Sequence, residues 1–546
     1  MKKTNKRFEI IVLLSFALFC FGSNLRISAQ VTPRERVIVQ PTPPVTVPIV
    51  LPTPIATPTP VQTIQELQSR IRLTLSRAEL RRGQVGIKII SLDTNKIIFE
   101  ENAEKYFMPA SNMKSYTVAA AMARLTPNFR FVTSVYAPSA PDAGGVIRGD
   151  LTVYGRGDPS FSPAFTRGGD TSVPATNGDY LKGLDALAQK IVAAGVKRIE
   201  GNLVGDESYF NSDPIPATWE WDDLQWYYGA EVSALTLNDN ALDLKILPSA
   251  VGSPLAVQLM PNNSLMQIIN RTTTAPAGAK REIEITKRLA QNILEVSGKM
   301  AVDDKGFTGY VTASRPALLF AALLRQLLEQ KGVTITGQTR AVNFKERGVT
   351  LNTTNLTEIT KLESPPFSLI AAKTMKPSQN LYTELILRAL GEAVGDKTDP
   401  KKTSEARGLE VVQKFLAEAG ITPGSVVQYD GSGLSRHNLI TPASSAQLYG
   451  FMNRHPFAQN WRESLTIAGV DGTLKSRFTG TFAAGNVRGK TGTIDQVSAL
   501  SGYVTTASGE RFAFSILTNN LPEGRLRTAT IDEIVVLLAN FNGRTN

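Results

Sequence analysis

Apolar positions in the chain fall into two textures. From Thr63 they repeat with a helical period to about Glu79, behind a capping box made by Thr63 and Glu66. Strand-like runs follow at Gln84 to Leu92 and Lys96 to Phe99, joined by the turn Asp93-Thr94-Asn95. The far end of the chain mirrors this pattern. Val487 to Thr493, Val497 to Thr505 and Arg511 to Thr518 read as three strands, and Thr530 to Phe541 reads as a closing helix capped by Thr530 and Glu533. Phe367 to Glu392 and Ser404 to Ala419 carry helical periodicity. Strands and outer helices at both ends imply one antiparallel sheet built from both halves, with a helical layer over its other face. The fold class is therefore α+β.

The second texture occupies residues 131–366. It is rich in glycine, proline and short strand-forming runs such as Leu151 to Tyr154 and Leu255 to Leu259. It reads as an inserted β-rich region of two domains, splitting a first domain made of residues 64–130 and 367–546.

The opening residues have a different character again. Lys2, Lys3, Lys6 and Arg7 precede an apolar run from Ile10 to Gly22, and Ile27-Ser28-Ala29 offers a small residue at a cleavage point. Residues 1–29 thus read as an export signal, with an uncleaved anchor as the alternative. Cys20, the one cysteine, lies inside that run, so a cleaved chain has none and no disulfide. Residues 30–63 hold nine prolines and read as an extended linker. Localisation follows as the periplasm or cell envelope.

Composition narrows the chemistry. Hydrophobic residues make up 42% and charged residues 20% of 546, as in a globular protein with a sizeable core. The net charge of +11 suits solvation or a peripheral association with anionic wall polymers or a membrane surface. No basic cluster interleaved with aromatics appears, which argues against nucleic acid. With only His437 and His455, a histidine-based hydrolase or a zinc site is poorly supplied. No metal or cofactor is called for.

Three short strings supply serine chemistry without histidine. In Ser111-Asn112-Met113-Lys114, the serine sits at a helix start, where free N–H groups favour developing negative charge. Three-residue spacing puts Lys114 on the same face, where a lysine with a lowered pKa can accept the serine proton. In Ser378-Gln379-Asn380, the hydroxyl can relay a proton and the Asn380 amide can orient a carbonyl. In Lys490-Thr491-Gly492-Thr493, Gly492 admits a substrate backbone and the threonine hydroxyls can bind a carboxylate. Each string alone has a bland reading as a surface helix start, a helix cap or an edge-strand lysine. About two S-x-x-K strings arise by chance in a chain this long. Competing motifs fail on the text. A P-loop ending in Lys490-Thr491 needs glycine where Ala484 stands, and a nucleophile elbow at Ser432 needs glycines where Asp430 and Leu434 stand.

The ordered set resembles the active site of penicillin-recognising serine enzymes. More narrowly, the chain resembles the D-alanyl-D-alanine carboxypeptidase/endopeptidase family, the class C low-molecular-mass penicillin-binding proteins. Gly157-Asp158-Pro159-Ser160, Ser233 to Asn240, Asp430 to Arg436 and Gly469 to Thr473 carry the likeness further, as does the long gap between Ser111 and Ser378. The resemblance covers about residues 64 to 542. It implies a serine transpeptidase/β-lactamase-like domain and an acyl-enzyme on Ser111, with Lys114 as base and Ser378, Asn380 and Lys490 completing the catalytic set. It further implies an oxyanion hole from the N–H groups of Ser111 and Thr493. Thr491, Gly492 and Thr493 would take the substrate's end, and Asp222 and Tyr227 its side chain, unless that aromatic segment merely packs between domains. The implied substrate is the peptidoglycan stem peptide, with β-lactam antibiotics as covalent inhibitors. A β-lactamase or esterase on the same fold, or a non-catalytic wall-binding protein, remains as an alternative.

Overall fold

The computed structural model describes residues 60–167 and 175–545. The export signal and most of the proline-rich linker lie outside the described residues.

One six-stranded sheet joins the two ends of the chain. Its order is Thr466–Ile467, Arg488–Ile494, Val497–Thr505, Arg511–Asn519, Gln84–Ser91, Ile97–Glu101, and every neighbouring pair is antiparallel. Successive side chains of a strand face opposite ways, so the sheet has two apolar faces. Phe512, Phe514 and Ile516 pack with Ile87, Ile89, Leu500 and Val504 beneath the outer helices Ile64–Leu75 and Gly524–Asn540. Ala513, Leu517, Ala499 and Tyr503 face the other way, onto Met113, Val118, Met122, Ile386, Leu390, Tyr449 and Trp461 of the helical layer. The α+β class and the sheet built from both chain ends therefore stand.

The two ends of residues 131–366 lie side by side. Ser364 N–H donates to the Phe131 carbonyl and Phe131 N–H to the Ser364 hydroxyl, both at 2.9 Å. The strands that adjoin them, Val132–Ala137 and Thr357–Glu363, pair antiparallel within a five-stranded sheet. Three-stranded sheets form from the remaining strands. The region holds many short strands, and two long helices, Asn177–Ala193 and Pro316–Gln330, also pack into its apolar core.

Three boundaries differ from the sequence expectation. The first helix ends at Leu75, and Ala78–Leu80 forms a separate short turn of 3₁₀ helix. The closing helix starts at Gly524 rather than at Thr530. Glu523 accepts the Arg525 N–H as the cap, while Thr530 is buried inside the helix and bonds back to the Leu526 carbonyl at 2.9 Å. The run Phe367 to Glu392 is two helices, Phe367–Met375 and Asn380–Val394. Pro377 has no N–H to continue the ladder, and Ser378 takes a left-handed φ of +66°.

Ile516 lies wholly buried at the centre of the sheet's outer face. Ile516→Ala is expected to cost about 2–5 kcal/mol through lost burial and a residual cavity. The check is a lowered midpoint of urea unfolding.

Candidate active site

The break at Ser378 and the helix start at Ser111 converge on the strand carrying Lys490. Ala110–Met113 forms a 3₁₀ turn running directly into the helix Lys114–Leu125. Ala110 there has φ +46°, a costly conformation for a residue with a side chain. The turn is tied to the sheet by Asn112, whose Nδ2 donates to the Lys490 carbonyl at 2.9 Å. Gly492 permits the close approach: a Cβ added there would stand 2.4 Å from the Pro109 carbonyl oxygen and 3.1 Å from the Ser111 backbone nitrogen.

Lys114 is fully buried. Its Nζ donates to Ser111 Oγ at 2.9 Å, Asn380 Oδ1 at 2.6 Å and the Ser432 carbonyl at 2.8 Å. Three acceptors match the three protons of an ammonium. In the neutral amine, Asn380 and Ser432 can hold both remaining protons, leaving the lone pair directed at Ser111. Lys490 is equally buried because it faces the helical layer, opposite Ser501 in the register. Its Nζ donates to Ser378 Oγ and to the Thr491 carbonyl, both at 2.8 Å. The reading of Lys490 as an exposed edge-strand lysine fails because its side chain is wholly buried, although Thr466–Ile467 pairs only with Arg488 and Gly489 and leaves the edge at Lys490 open.

Other predicted residues take less central places. Thr491 Oγ1 donates to Thr473 Oγ1 at 2.7 Å, while Thr493 is exposed toward the strand's end. Tyr227 stacks edge-on against Tyr228 and at a tilt against Tyr310, with ring centroids 5.7 and 5.5 Å away. Asp222 is exposed. Their segment meets the site through backbone, since Asn380 Nδ2 donates to the Tyr228 carbonyl at 2.9 Å. Burial and the neighbouring Asp222 and Glu220 carboxylates push Asp223 up to about 6.

Sequence reasoning gave no role to the groups that hold the loop Asp430 to Ser435. Asp430 accepts from the N–H groups of Gly433 and Ser435, each at 2.8 Å, and from Trp219 Nε1 at 2.9 Å. Glu384, one and a half turns after Gln379, accepts from Gly431 and Ser432 N–H at 3.1 and 2.8 Å. Burial, reinforced by the Asp430 carboxylate, pushes Glu384 up to about 8. The signal for both lay in the text, in Asp430-Gly431-Ser432-Gly433 and in an acidic residue set among the apolar Leu381, Leu385 and Ile386. Their partners lie more than forty positions apart for Glu384 and over two hundred for Trp219 and Asp430.

A half-buried Ser111 beside the buried Lys114, a second and buried pair in Ser378 and Lys490, and Asn380 against the first lysine lie between a helical layer and an antiparallel sheet, an arrangement suited to serine acyl transfer. The chain belongs to the D-Ala-D-Ala carboxypeptidase 3 (S13) family, whose family model matches residues 67–541. It is 33% identical over 491 residues to a D-alanyl-D-alanine carboxypeptidase from Actinomadura sp. (strain R39), covering 88% of this chain and 86% of that protein. It is 26% identical over 451 residues to the D-alanyl-D-alanine carboxypeptidase DacB of Haemophilus influenzae, covering 82% and 88%. The crystal structure of penicillin binding protein 4 from that organism superposes with a TM-score of 0.72 at 23% identity, covering 87% of this chain and 99% of that one. The two share a fold.

Two outcomes follow from this geometry. Gly492→Ala is expected to slow acylation of Ser111 by about a hundredfold by displacing the strand from the nucleophile turn. Labelling with a fluorescent penicillin measures the rate, and an unchanged circular dichroism spectrum confirms the fold. Glu384, with its pKa raised from 4.5 to about 8, binds its proton more tightly folded than unfolded. Its contribution to stability is full below pH 4.5 and fades as pH rises toward 8. Thermal melts between those limits should show the fall, and Glu384→Gln should flatten it.

Proposed function

We propose that this protein is a serine D-Ala-D-Ala carboxypeptidase that trims peptidoglycan stem peptides through an acyl-enzyme on Ser111. The observation that carries the reading is the buried Lys114 Nζ, 2.9 Å from Ser111 Oγ and held by two further acceptors. Lys114 takes the Ser111 proton as Oγ attacks the carbonyl between two D-alanines. The developing oxyanion sits at the N–H groups of Ser111 and Thr493, where losing one donor typically costs about a hundred- to thousandfold in rate. Ser378 gives its proton to the departing amine, and the proton that Lys114 took from Ser111 passes back through the Lys490–Ser378 pair, so that both lysines recover their starting states and Lys114 is again free to act as a base. Thr491 and Thr493 hold the terminal carboxylate, Gly492 keeps the wall of the cleft flat, and Asn380 orients the acyl carbonyl. A water activated by Lys114 then releases the shortened peptide.

The same steps make β-lactams covalent inhibitors, because their opened ring keeps the leaving nitrogen attached to the acyl group. The acidic segment with Asp222 and Asp223, beside Tyr227, suits a cationic group on the peptide side chain. Residues 64–130 and 367–546 act as the catalytic domain. Residues 131–366 are the insert of two domains, with residues 241–312 nested in the other. Export to the periplasm or cell envelope places the enzyme with its substrate. Among the described residues, no helix is long and apolar enough to cross a membrane.

The test compares the protein with Ser111→Ala, using labelled penicillin and a pentapeptide ending in D-Ala-D-Ala. The unsubstituted protein should take stoichiometric label and release one D-alanine per peptide, and Ser111→Ala should do neither. Rapid turnover of penicillin would move the reading to a β-lactamase, and absence of both label and release would leave a wall-binding protein. A dimeric cross-linked peptide in the same assay reads endopeptidase action.

A further inference from the structure

The segment Ser233 to Asn240 of the insert has no place in the reaction just described, yet it holds a run of consecutive residues with positive φ. Asn238, Asp239 and Asn240 have φ of +45°, +59° and +52°. Three consecutive residues with side chains in the left-handed region are costly and persist only where surroundings impose them. Asparagine and aspartate tolerate the conformation best because their side chains bond nearby backbone. Asn238 does so with the Ala241 carbonyl and Asn240 with the Glu231 carbonyl, each at 2.8 Å. The Asn240 carbonyl also takes the Ala313 N–H at 2.9 Å, and Asn238 N–H reaches the Phe161 carbonyl at 2.8 Å.

Asp239 behaves differently from its neighbours. Its carboxylate leaves the insert and enters the catalytic domain. Oδ2 accepts from Gln379 Nε2 at 3.1 Å, and Oδ1 accepts from the Tyr382 hydroxyl. Gln379 is the residue between Ser378 and Asn380, and its own Oε1 caps the Leu381 N–H at 3.2 Å. Tyr382 is one turn further along the same helix, seated among Phe210, Val232, Ala234 and Leu385. The turn that Asp239 grips is itself strained at Ser378. On either side of the grip, Ser378 Oγ accepts a hydrogen bond from Lys490 and Asn380 Oδ1 accepts one from Lys114.

We propose that Asp239 is a positioning residue for acyl transfer. It fixes Gln379 and Tyr382 so that the strained turn presents Ser378 to Lys490 and Asn380 to Lys114 together. The insert thereby completes a site whose reacting groups all belong to the other domain. This inference rests on the acyl-transfer reading of Ser111.

The test measures the acylation rate constant with labelled penicillin, and kcat and KM for the pentapeptide, in the full chain. Asp239→Ala, Gln379→Ala and the double variant are compared. Asp239→Ala is expected to lower acylation and kcat by about tenfold or more with KM changed less than about twofold, as expected when geometry rather than binding is lost. The double variant should be no slower than Asp239→Ala, because the two residues act through one contact. Asp239→Asn, which keeps an acceptor oxygen, should recover part of the rate. Should Asp239→Ala fail to fold, Gln379→Ala and Tyr382→Phe carry the same test, each being slower than the parent. Parental rates in the variants, losses that multiply in the double, or a loss confined to KM would overturn the inference while leaving Ser111 as nucleophile. An unlabelled parent protein would overturn both.

Discussion

Everything in the cleft depends on keeping the Lys114 amine out of water with its hydrogen bonds satisfied. A buried amine with unmet donors is expensive, so its three acceptors must be in place whenever the domain is folded. Those acceptors come from three distant stretches: Ser111 in the nucleophile turn, Asn380 after the break at Ser378, and the carbonyl of Ser432. The need to satisfy one nitrogen therefore brings together helix start, helix break and loop. On the acyl-transfer mechanism proposed above it would also prepare the reaction, because the two acceptors other than Ser111 can retain the amine's protons while its lone pair faces the serine.

The supports of those acceptors extend the same logic outward. The Ser432 carbonyl is aimed by a loop whose N–H groups are taken by two buried carboxylates, Asp430 and Glu384. Holding two acids close together underground raises the pKa of Glu384, a cost accepted to keep the loop in one shape. Strain is concentrated in the same neighbourhood. Ala110, Ser378 and Asp239 all have positive φ; Ala110 immediately precedes Ser111, while Ser378 and Asp239 themselves accept hydrogen bonds from Lys490 and Gln379. Such conformations store energy that the surrounding packing holds in place, which suits a site whose groups must not relax between turnovers.

Much of this was legible in the chain. The capping box at Thr63 and Glu66 and the three C-terminal strands formed where local pattern put them, because caps and period-two alternation are short-range signals. The closing helix was misplaced by six residues because Thr530 and Glu533 imitate a cap, while the real cap, Glu523, follows the turn residue Pro522. The long helix from Phe367 was split because its period continues across Pro377, where the backbone cannot. The two long helices of the insert were masked by the glycine- and proline-rich turns around them.

The sequence alone determined which groups could do chemistry: two lysines, two serines and an asparagine, at spacings that leave no histidine route. Residue type and local spacing are carried by the chain itself, so they can be read without a fold. Only tertiary structure decided that Lys114 meets Asn380 and Ser432, that Lys490 faces inward to Ser378, and that Asp239 reaches Gln379. Those contacts span between 112 and 318 positions and depend on sheet register and on how the insert seats against the helical layer. No local pattern encodes such distances, since they arise from burying both faces of one sheet and satisfying the amines trapped beside it.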